Sequence, residues 1–345
     1  MAGREDPLTR AGVRAGRVDL PATTPPADTT TPDADSDADA SLLWTPPGPL
    51  DLGLTLGPLR RGPADPTFRV TPDGALWRAT RTPAGPATLR LRRAAAPADG
   101  SPAPLRADLW GPGAARLAAD LPALLGAEDD PGAFVPRHRL LHEAHRRRPG
   151  LRLTRTGLVL EALVPTVLEQ KVTSDEAYRS WRRLVRAHGT PAPGPGPDLW
   201  VPPAAADWLR IPSWDWHRAG VDDKRAATIL RAARLAPRLE EAARMPPDRA
   251  LARLLAVPGV GPWTAAETLQ RSNGDPDAVT TGDLHLPGHI GWALARDRDA
   301  DDAAMLALLA PYAGQRHRAA RLVLLAAPAP PRRAPRMRRT DIARW

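Results

Sequence analysis

The residues whose types and spacing could do chemistry lie between Leu254 and Pro287. Residues 254–267 read Leu-Leu-Ala-Val-Pro-Gly-Val-Gly-Pro-Trp-Thr-Ala-Ala-Glu, and residues 279–287 read Val-Thr-Thr-Gly-Asp-Leu-His-Leu-Pro. Pro258-Gly259-Val260-Gly261 makes a tight turn, because glycine takes backbone shapes that other residues resist and lets another backbone come close. Free amides in such a turn, followed by a helix N-terminus, form an anion site, and a phosphate backbone is its natural guest. About twenty residues past the turn, Asp283 offers a carboxylate that could stabilise positive charge developing on a reacting group.

Two helices must hold that turn. Leu251, Leu254 and Leu255 sit at i, i+3 and i+4, so a helix ends near Ala256. Pro262 suits the first position of a second helix, where a missing N–H costs nothing, and Ala265 and Leu269 continue one face of it. The plain alternative is a turn between two packing helices.

The pattern L-L-x-V-P-G-V-G-x-W-T-A resembles the helix-hairpin-helix of base-excision DNA glycosylases. Gly274-Asp275-Pro276 and then Gly282-Asp283 resemble that superfamily's Gly/Pro-rich loop and catalytic aspartate, and the branch most similar is the 3-methyladenine DNA glycosylase II family. The resemblance is strong over about 250–290 and traceable from Leu158 to about Leu325. It implies a mainly α helix-hairpin-helix glycosylase fold with a small N-terminal α+β domain built on an antiparallel sheet. It also implies hydrolysis of the N-glycosidic bond of a damaged, alkylated purine flipped out of duplex DNA, by an enzyme without lyase activity.

On this resemblance Asp283 is catalytic. Val257, Gly259, Val260, Gly261 and Thr264 bind DNA, as do Gln170 and Lys171, which match the corner where the family places a wedge into the gap left by the base. Lys171 departs from the usual Gln or apolar wedge; an ordinary surface lysine is the competing reading. Trp263, His285 and Tyr312 are the base-pocket candidates, with Trp263 equally readable as core and His285 as structural. Lyase-active relatives carry a lysine where this chain has Trp263. A monovalent cation at the hairpin carbonyls fits the resemblance, as does a monomer. The rival functions are a non-catalytic helix-hairpin-helix DNA-binding protein and a glycosylase for oxidised or deaminated bases.

Composition sets the bounds. Net charge is +9 over 345 residues, which suits a polyanionic partner. Of 48 basic residues only Lys171 and Lys224 are lysine, a bias that a GC-rich genome produces by itself. Without cysteine there is no disulfide, no Cys-ligated zinc and no iron–sulfur cluster. No apolar run of about 18 residues and no apolar signal core appears, so the expected place is the cytoplasm, on the nucleoid when DNA is bound.

Four segments are expected: a disordered acidic tail over 1–44, a small α+β domain over 45–128, a helical domain over 129–327, and a basic Pro/Arg-rich tail over 328–345. Leu50, Leu52, Leu54 and Leu56 alternate as in a strand. Residues 67–70 and 75–80 flank Pro72-Asp-Gly as a hairpin, 87–92 and 105–110 add strands, and a helix over 114–125 ends at Gly126. His138, His142 and His145 share a helix face but lack the zincin spacing, so no metal site is expected. Thr173 and Glu176 form a capping box, and Asp222 caps the helix before the hairpin. Trp200, Trp208, Trp214 and Trp216 read as helical core. Arg316, Arg318 and Arg321 either line DNA or solvate a face.

Overall fold

Alternating apolar residues build an antiparallel sheet first. In this computed structural model, which describes residues 38–95 and 103–331, the chain forms β1 (Ala40–Trp44), a short helix α1 (Leu52–Leu56), β2 (Phe68–Val70), β3 (Leu76–Thr82), β4 (Gly85–Arg93) and β5 (Leu105–Trp110). The strand order is β1-β5-β4-β3-β2, all pairs antiparallel, with Leu76 opposite Leu91 and Leu89 opposite Leu109. One face buries Leu76, Leu89, Leu91 and Leu109 against helix α2 (Ala114–Leu124). The other stacks Trp77 on Trp110, ring centroids 5.5 Å apart, and meets Leu199 and Val201.

Two expectations fail here. Residues 52–56 are a helix, not a strand. Leu52 and Leu56 lie one turn apart and pack under the sheet, while Leu54 on the opposite side enters a helical cluster. A helix buried on both sides shows the same alternation as a strand, and Asp51 caps it by accepting from Leu54 N. The edge strand β1 also lies within the stretch read as tail; Ser41 is held there by its hydroxyl on Asp108 (2.9 Å). The remainder of the acidic tail, and the basic tail beyond 331, lie outside the described residues.

The helical part follows: α3 (Arg139–Arg146), α4 (Val159–Leu168), α5 (Ser174–His188), the short strands β6 (Thr190–Pro191) and β7 (Trp200–Val201), α6 (Ala205–Trp208), α7 (Ser213–Ala219), α8 (Asp223–Arg234), α9 (Ala236–Glu240), α10 (Pro247–Leu255), α11 (Pro262–Ser272), α12 (Leu286–Ala295), α13 (Asp302–Leu309) and α14 (Arg316–Ala326). No helix among the described residues is long and apolar enough to cross a membrane. The expected caps are present: Thr173 and Glu176 form the box on α5, and Asp222 accepts from Arg225 N on α8. Helix α4 begins before Pro165, and its first amides are capped from afar, Val159 N and Leu160 N donating to Glu240 of α9 (2.8 and 2.9 Å).

These helices bury two separate cores. Helices α4 to α11 share one, in which Trp181, Trp208 and Trp216 stack in series. Trp200 packs at its edge, but Trp214 is exposed and stands outside it. Helices α3, α12, α13 and α14 share the other, with Leu54 of α1. The loop from α11 to α12, which carries Asp283, runs along the seam.

Buried guanidiniums tie α14 to α1 and to the loop before α3. Arg318 pairs with Asp129, and Arg321 donates to Leu54 O (2.5 Å). Burial, with Arg318 and Arg271 nearby, brings Arg321 down to about 10. Neither arginine lines a groove, which corrects the expectation for α14; Arg316 is held by Asp277. His317 is buried among Arg321, Arg271 and Arg318, and burial first, then those charges, hold it well below the ordinary histidine range. Its folded form therefore resists protonation, while the unfolded chain takes a proton near pH 6.5. Stability from this group is complete above about pH 6.5 and is lost as pH falls below it. Thermal melts from pH 7.5 to 5 should show a falling midpoint, and His317→Gln should flatten that fall.

Candidate active site

The hairpin forms as its sequence requires. Helix α10 ends at Leu255 with Ala256 as its C-cap, and α11 starts with Pro262 at its first position. Val257 and Val260 are buried, and Val260 N closes the turn on Val257 O (2.9 Å). Their side chains anchor the turn in the core, so only their backbones are presented outward. The N–H groups of Gly259 and Gly261 find no acceptor among the described residues.

The two glycines differ. Gly259 has φ +98°, and a Cβ there would lie 2.1 Å from Thr228 Oγ1. At Gly261 φ is −99°, and a Cβ would meet nothing within 4 Å. The fold demands glycine at the first position and leaves the second open.

Gln170 and Thr264 work inside the protein. Gln170 Nε2 donates to Gly259 O (3.0 Å) and Thr264 Oγ1 (2.8 Å), tying the end of α4 to the hairpin. Thr264 is buried. Lys171, next in sequence, is exposed with φ +56°. Arg231 of α8 donates to Pro258 O (2.9 Å). Among the hairpin carbonyls, Val257 O accepts from Val260 N, Pro258 O from Arg231 and Gly259 O from Gln170.

Asp283 is built into the start of α12. Its Oδ1 accepts from His285 N and Leu286 N (both 2.8 Å), and its Oδ2 accepts from the Trp263 indole N–H (2.9 Å). One carboxylate therefore caps the start of α12 and also holds the Trp263 indole. Trp263 is half-buried and reaches it from the second position of α11, directly after the hairpin. The approach to Asp283 is fixed at each step. Gln270 Nε2 donates to Ala278 O (2.8 Å) and Thr280 Oγ1 (2.9 Å), and Thr280 Oγ1 donates to Glu267 (3.0 Å). Gly282, with φ +79°, donates its N–H to Asp302 Oδ2 (2.8 Å). Gly274, Asp275 and Pro276 brace the loop from the other side, Pro276 O accepting from His317 N (2.9 Å).

Of the pocket candidates, Trp263 is at the site, and His285 adjoins it through its backbone with an exposed side chain. Tyr312 is not there. It is buried in the C-terminal core, its hydroxyl accepting from Arg137 N and His138 N (both 3.1 Å) and bonded to His138 Nδ1 (2.5 Å). That contact and the packing of His145 on Phe134 place these histidines in the core's polar edge. Asp302 and Glu267 were not legible from the sequence as neighbours of Asp283: one reads as an acid at a helix start, the other as a polar helix residue.

A hairpin of this form between two helices, a Gly-Asp turn packed against the second of them, and an antiparallel sheet ahead make a recognisable whole. The chain has the fold of the helix-hairpin-helix DNA glycosylases. It is similar to the 3-methyladenine DNA-glycosylase from Archaeoglobus fulgidus, TM-score 0.64 at 15% identity, covering 83% of this chain and 97% of that one. It is also similar to the Clostridium acetobutylicum 8-oxoguanine glycosylase/lyase solved with double-stranded DNA, TM-score 0.62 at 11% identity, covering 80% and 90%. In sequence it is 35% identical over 165 residues to the Mycobacterium tuberculosis "Probable bifunctional transcriptional activator/DNA repair enzyme AlkA", which agrees with the 3-methyladenine DNA glycosylase II branch. That match takes in 47% of the chain but only 31% of the relative's length. No family model matches.

Within the glycosylase fold, the hairpin glycines give a direct test of which residue serves structure. Gly259→Ala should lower the melting midpoint clearly, since the backbone strain alone costs about 1–3 kcal/mol and Thr228 must also move. Gly261→Ala should leave the stability within about 0.5 kcal/mol of the parent. Equal losses from both would mean that the turn is built differently.

Proposed function

We propose that the chain is a DNA glycosylase that hydrolyses the N-glycosidic bond of an alkylated purine in duplex DNA and leaves the strand intact. The observation that carries this is Asp283: a half-exposed carboxylate fixed by three N–H donors beside a hairpin with two free amides. The named relatives, a DNA repair enzyme and a 3-methyladenine DNA-glycosylase, support the same reading.

The hairpin amides take a backbone phosphate, which positions the duplex without reading its sequence. The target base is extruded, costing a few kcal/mol. As the bond between the sugar's anomeric carbon and the base nitrogen breaks, its electron pair leaves with the base and positive charge develops on the sugar. The fixed carboxylate of Asp283 faces that charge, and water adds to the anomeric carbon, losing a proton to solvent. An N-alkylated purine already carries positive charge, so it leaves neutral without an acid to protonate it. Among the described residues Asp283 has no second carboxylic acid as a hydrogen-bond partner, and this suits a cationic base better than a neutral one.

Trp263 stands where lyase-active relatives have a lysine, and an indole forms no Schiff base. The product is therefore an abasic site in an unbroken strand, and borohydride during turnover should trap no protein–DNA adduct. Asp283→Asn should keep the fold and duplex binding while turnover on alkylated DNA drops on the order of 100- to 1000-fold. Release of methylated purines by that variant at the parent's rate would remove Asp283 from the mechanism.

Asp302 should matter through Gly282. Asp302→Ala frees the turn that leads into Asp283, so kcat should fall about tenfold, since a misplaced group loses rate readily, with KM unchanged. Asp302→Asn, which keeps an acceptor, should recover most of it.

A further inference from the structure

The polar face of α11 is spent on other parts of the chain. Trp263, Glu267, Gln270 and Arg271 fall at i, i+4, i+7 and i+8, one stripe of the helix. Such a stripe on a helix is ordinarily a solvated face. Here each member has a partner in another element. Trp263 holds Asp283 Oδ2, and Gln270 donates to Ala278 O and Thr280 Oγ1. Glu267 Oε1 accepts from Thr280 Oγ1 (3.0 Å), and Arg271 Nε donates to Pro58 O (3.0 Å) in the 3-10 turn directly after α1.

Glu267 is where these bonds meet. Its other oxygen, Oε2, accepts from Arg271 Nη1 (2.7 Å), so the guanidinium held on Pro58 O orients the carboxylate. Thr280 is buried; its one hydroxyl hydrogen goes to Glu267, while its oxygen accepts from Gln270. Glu267 and Trp263 stand one helical turn apart, about 6 Å along the axis. The loop covers the same step with three residues, from Thr280 to Asp283. It is therefore pinned to α11 at both ends of that step. Trp263 alone would hold the tip of the Asp283 side chain and leave the loop behind it free to turn. With Thr280 fixed as well, the loop has one register on the helix.

We propose that Glu267 is a positioning residue for the reaction at Asp283, setting the register of the catalytic loop on α11 through Thr280 and tying it to the Pro58 turn through Arg271. This rests on the glycosylase reading above. It gives the N-terminal part of the chain a share in the site, because the Pro58 carbonyl orients the guanidinium that orients Glu267.

The test is steady-state turnover on alkylated duplex DNA by the full chain as parent, Glu267→Gln, Thr280→Val, the two combined, Thr280→Ser and Thr166→Val. Valine keeps the shape of threonine without its hydroxyl, and serine keeps the hydroxyl. An amide offers one acceptor oxygen where the carboxylate offers two, so Arg271 and Thr280 no longer each have their own. Thr166 is the control, a buried threonine of α4 whose hydroxyl donates to Ala162 O (2.9 Å). Glu267→Gln and Thr280→Val should each lower kcat roughly tenfold with KM unchanged. The combined variant should lose no more than the worse single change, because both cut the same link. Thr280→Ser should recover most of the parent's kcat, and Thr166→Val should keep it. If Glu267→Gln does not fold, Thr280→Val against Thr280→Ser still decides the matter. Parent-like kcat in Thr280→Val, losses that add in the combined variant, or an equal loss in Thr166→Val would overturn the positioning role and leave the glycosylase reading intact. A parent with no turnover on alkylated duplex DNA would overturn that reading and the assignment together.

Discussion

The position of one carboxylate depends on three separate pieces of the chain. Asp283 lies in the loop between the two helical cores, and neither core alone could fix it. Trp263 reaches it from the first core, the amides of α12 from the second, and Asp302 of α13 holds the turn just before it. Each bond is ordinary, contributing on the order of 1 kcal/mol. What matters is that they come from different elements, so the carboxylate moves only if the cores move against each other. This joins fold to chemistry, because a preorganised charge acts only while its orientation is fixed beforehand.

The sheet, α1 and the helices are kept in register by buried charge. Arg78 of the sheet pairs with Glu161 of α4 (2.5 Å), which also accepts from Thr80 Oγ1 and Arg81 N. Arg271 of α11 donates to Pro58 O (3.0 Å), and Arg318 and Arg321 bind across to Asp129 and Leu54. Removing one partner from such a pair costs more than the pair contributes, because the other charge stays buried. These bonds therefore specify one arrangement of sheet, α1 and helices. Among the described residues, Arg61, Arg78, Arg225, Arg318 and Arg321 are buried, and each has an internal partner.

The sequence was legible where chemistry is local. Helix caps at Thr173 and Asp222, the glycine turn and the proline start of α11 each depend on neighbours a few residues away, and all are present. It was illegible where partners are distant. Nothing near Glu240 shows that it caps α4, and nothing near Tyr312 shows that its hydroxyl is spent on the backbone at 137 and 138. The error at 52–56 has another cause: a period of two over five residues fits a strand or a short helix buried on both sides, and only the tertiary setting decides.

The hairpin carries the strongest internal argument for a guest. If Pro258-Gly259-Val260-Gly261 were only a turn between packing helices, each glycine should answer a steric or conformational need of the fold. Gly259 does, through φ +98° and the close approach of Thr228. Gly261 does not: its backbone is extended and its surroundings are empty. A side chain there would point into open space at the N-terminus of α11, beside amides that no internal acceptor uses. Empty space needs no glycine. Space that must admit an anion to the backbone does, because a Cβ would hold the phosphate away from the N–H groups that bind it.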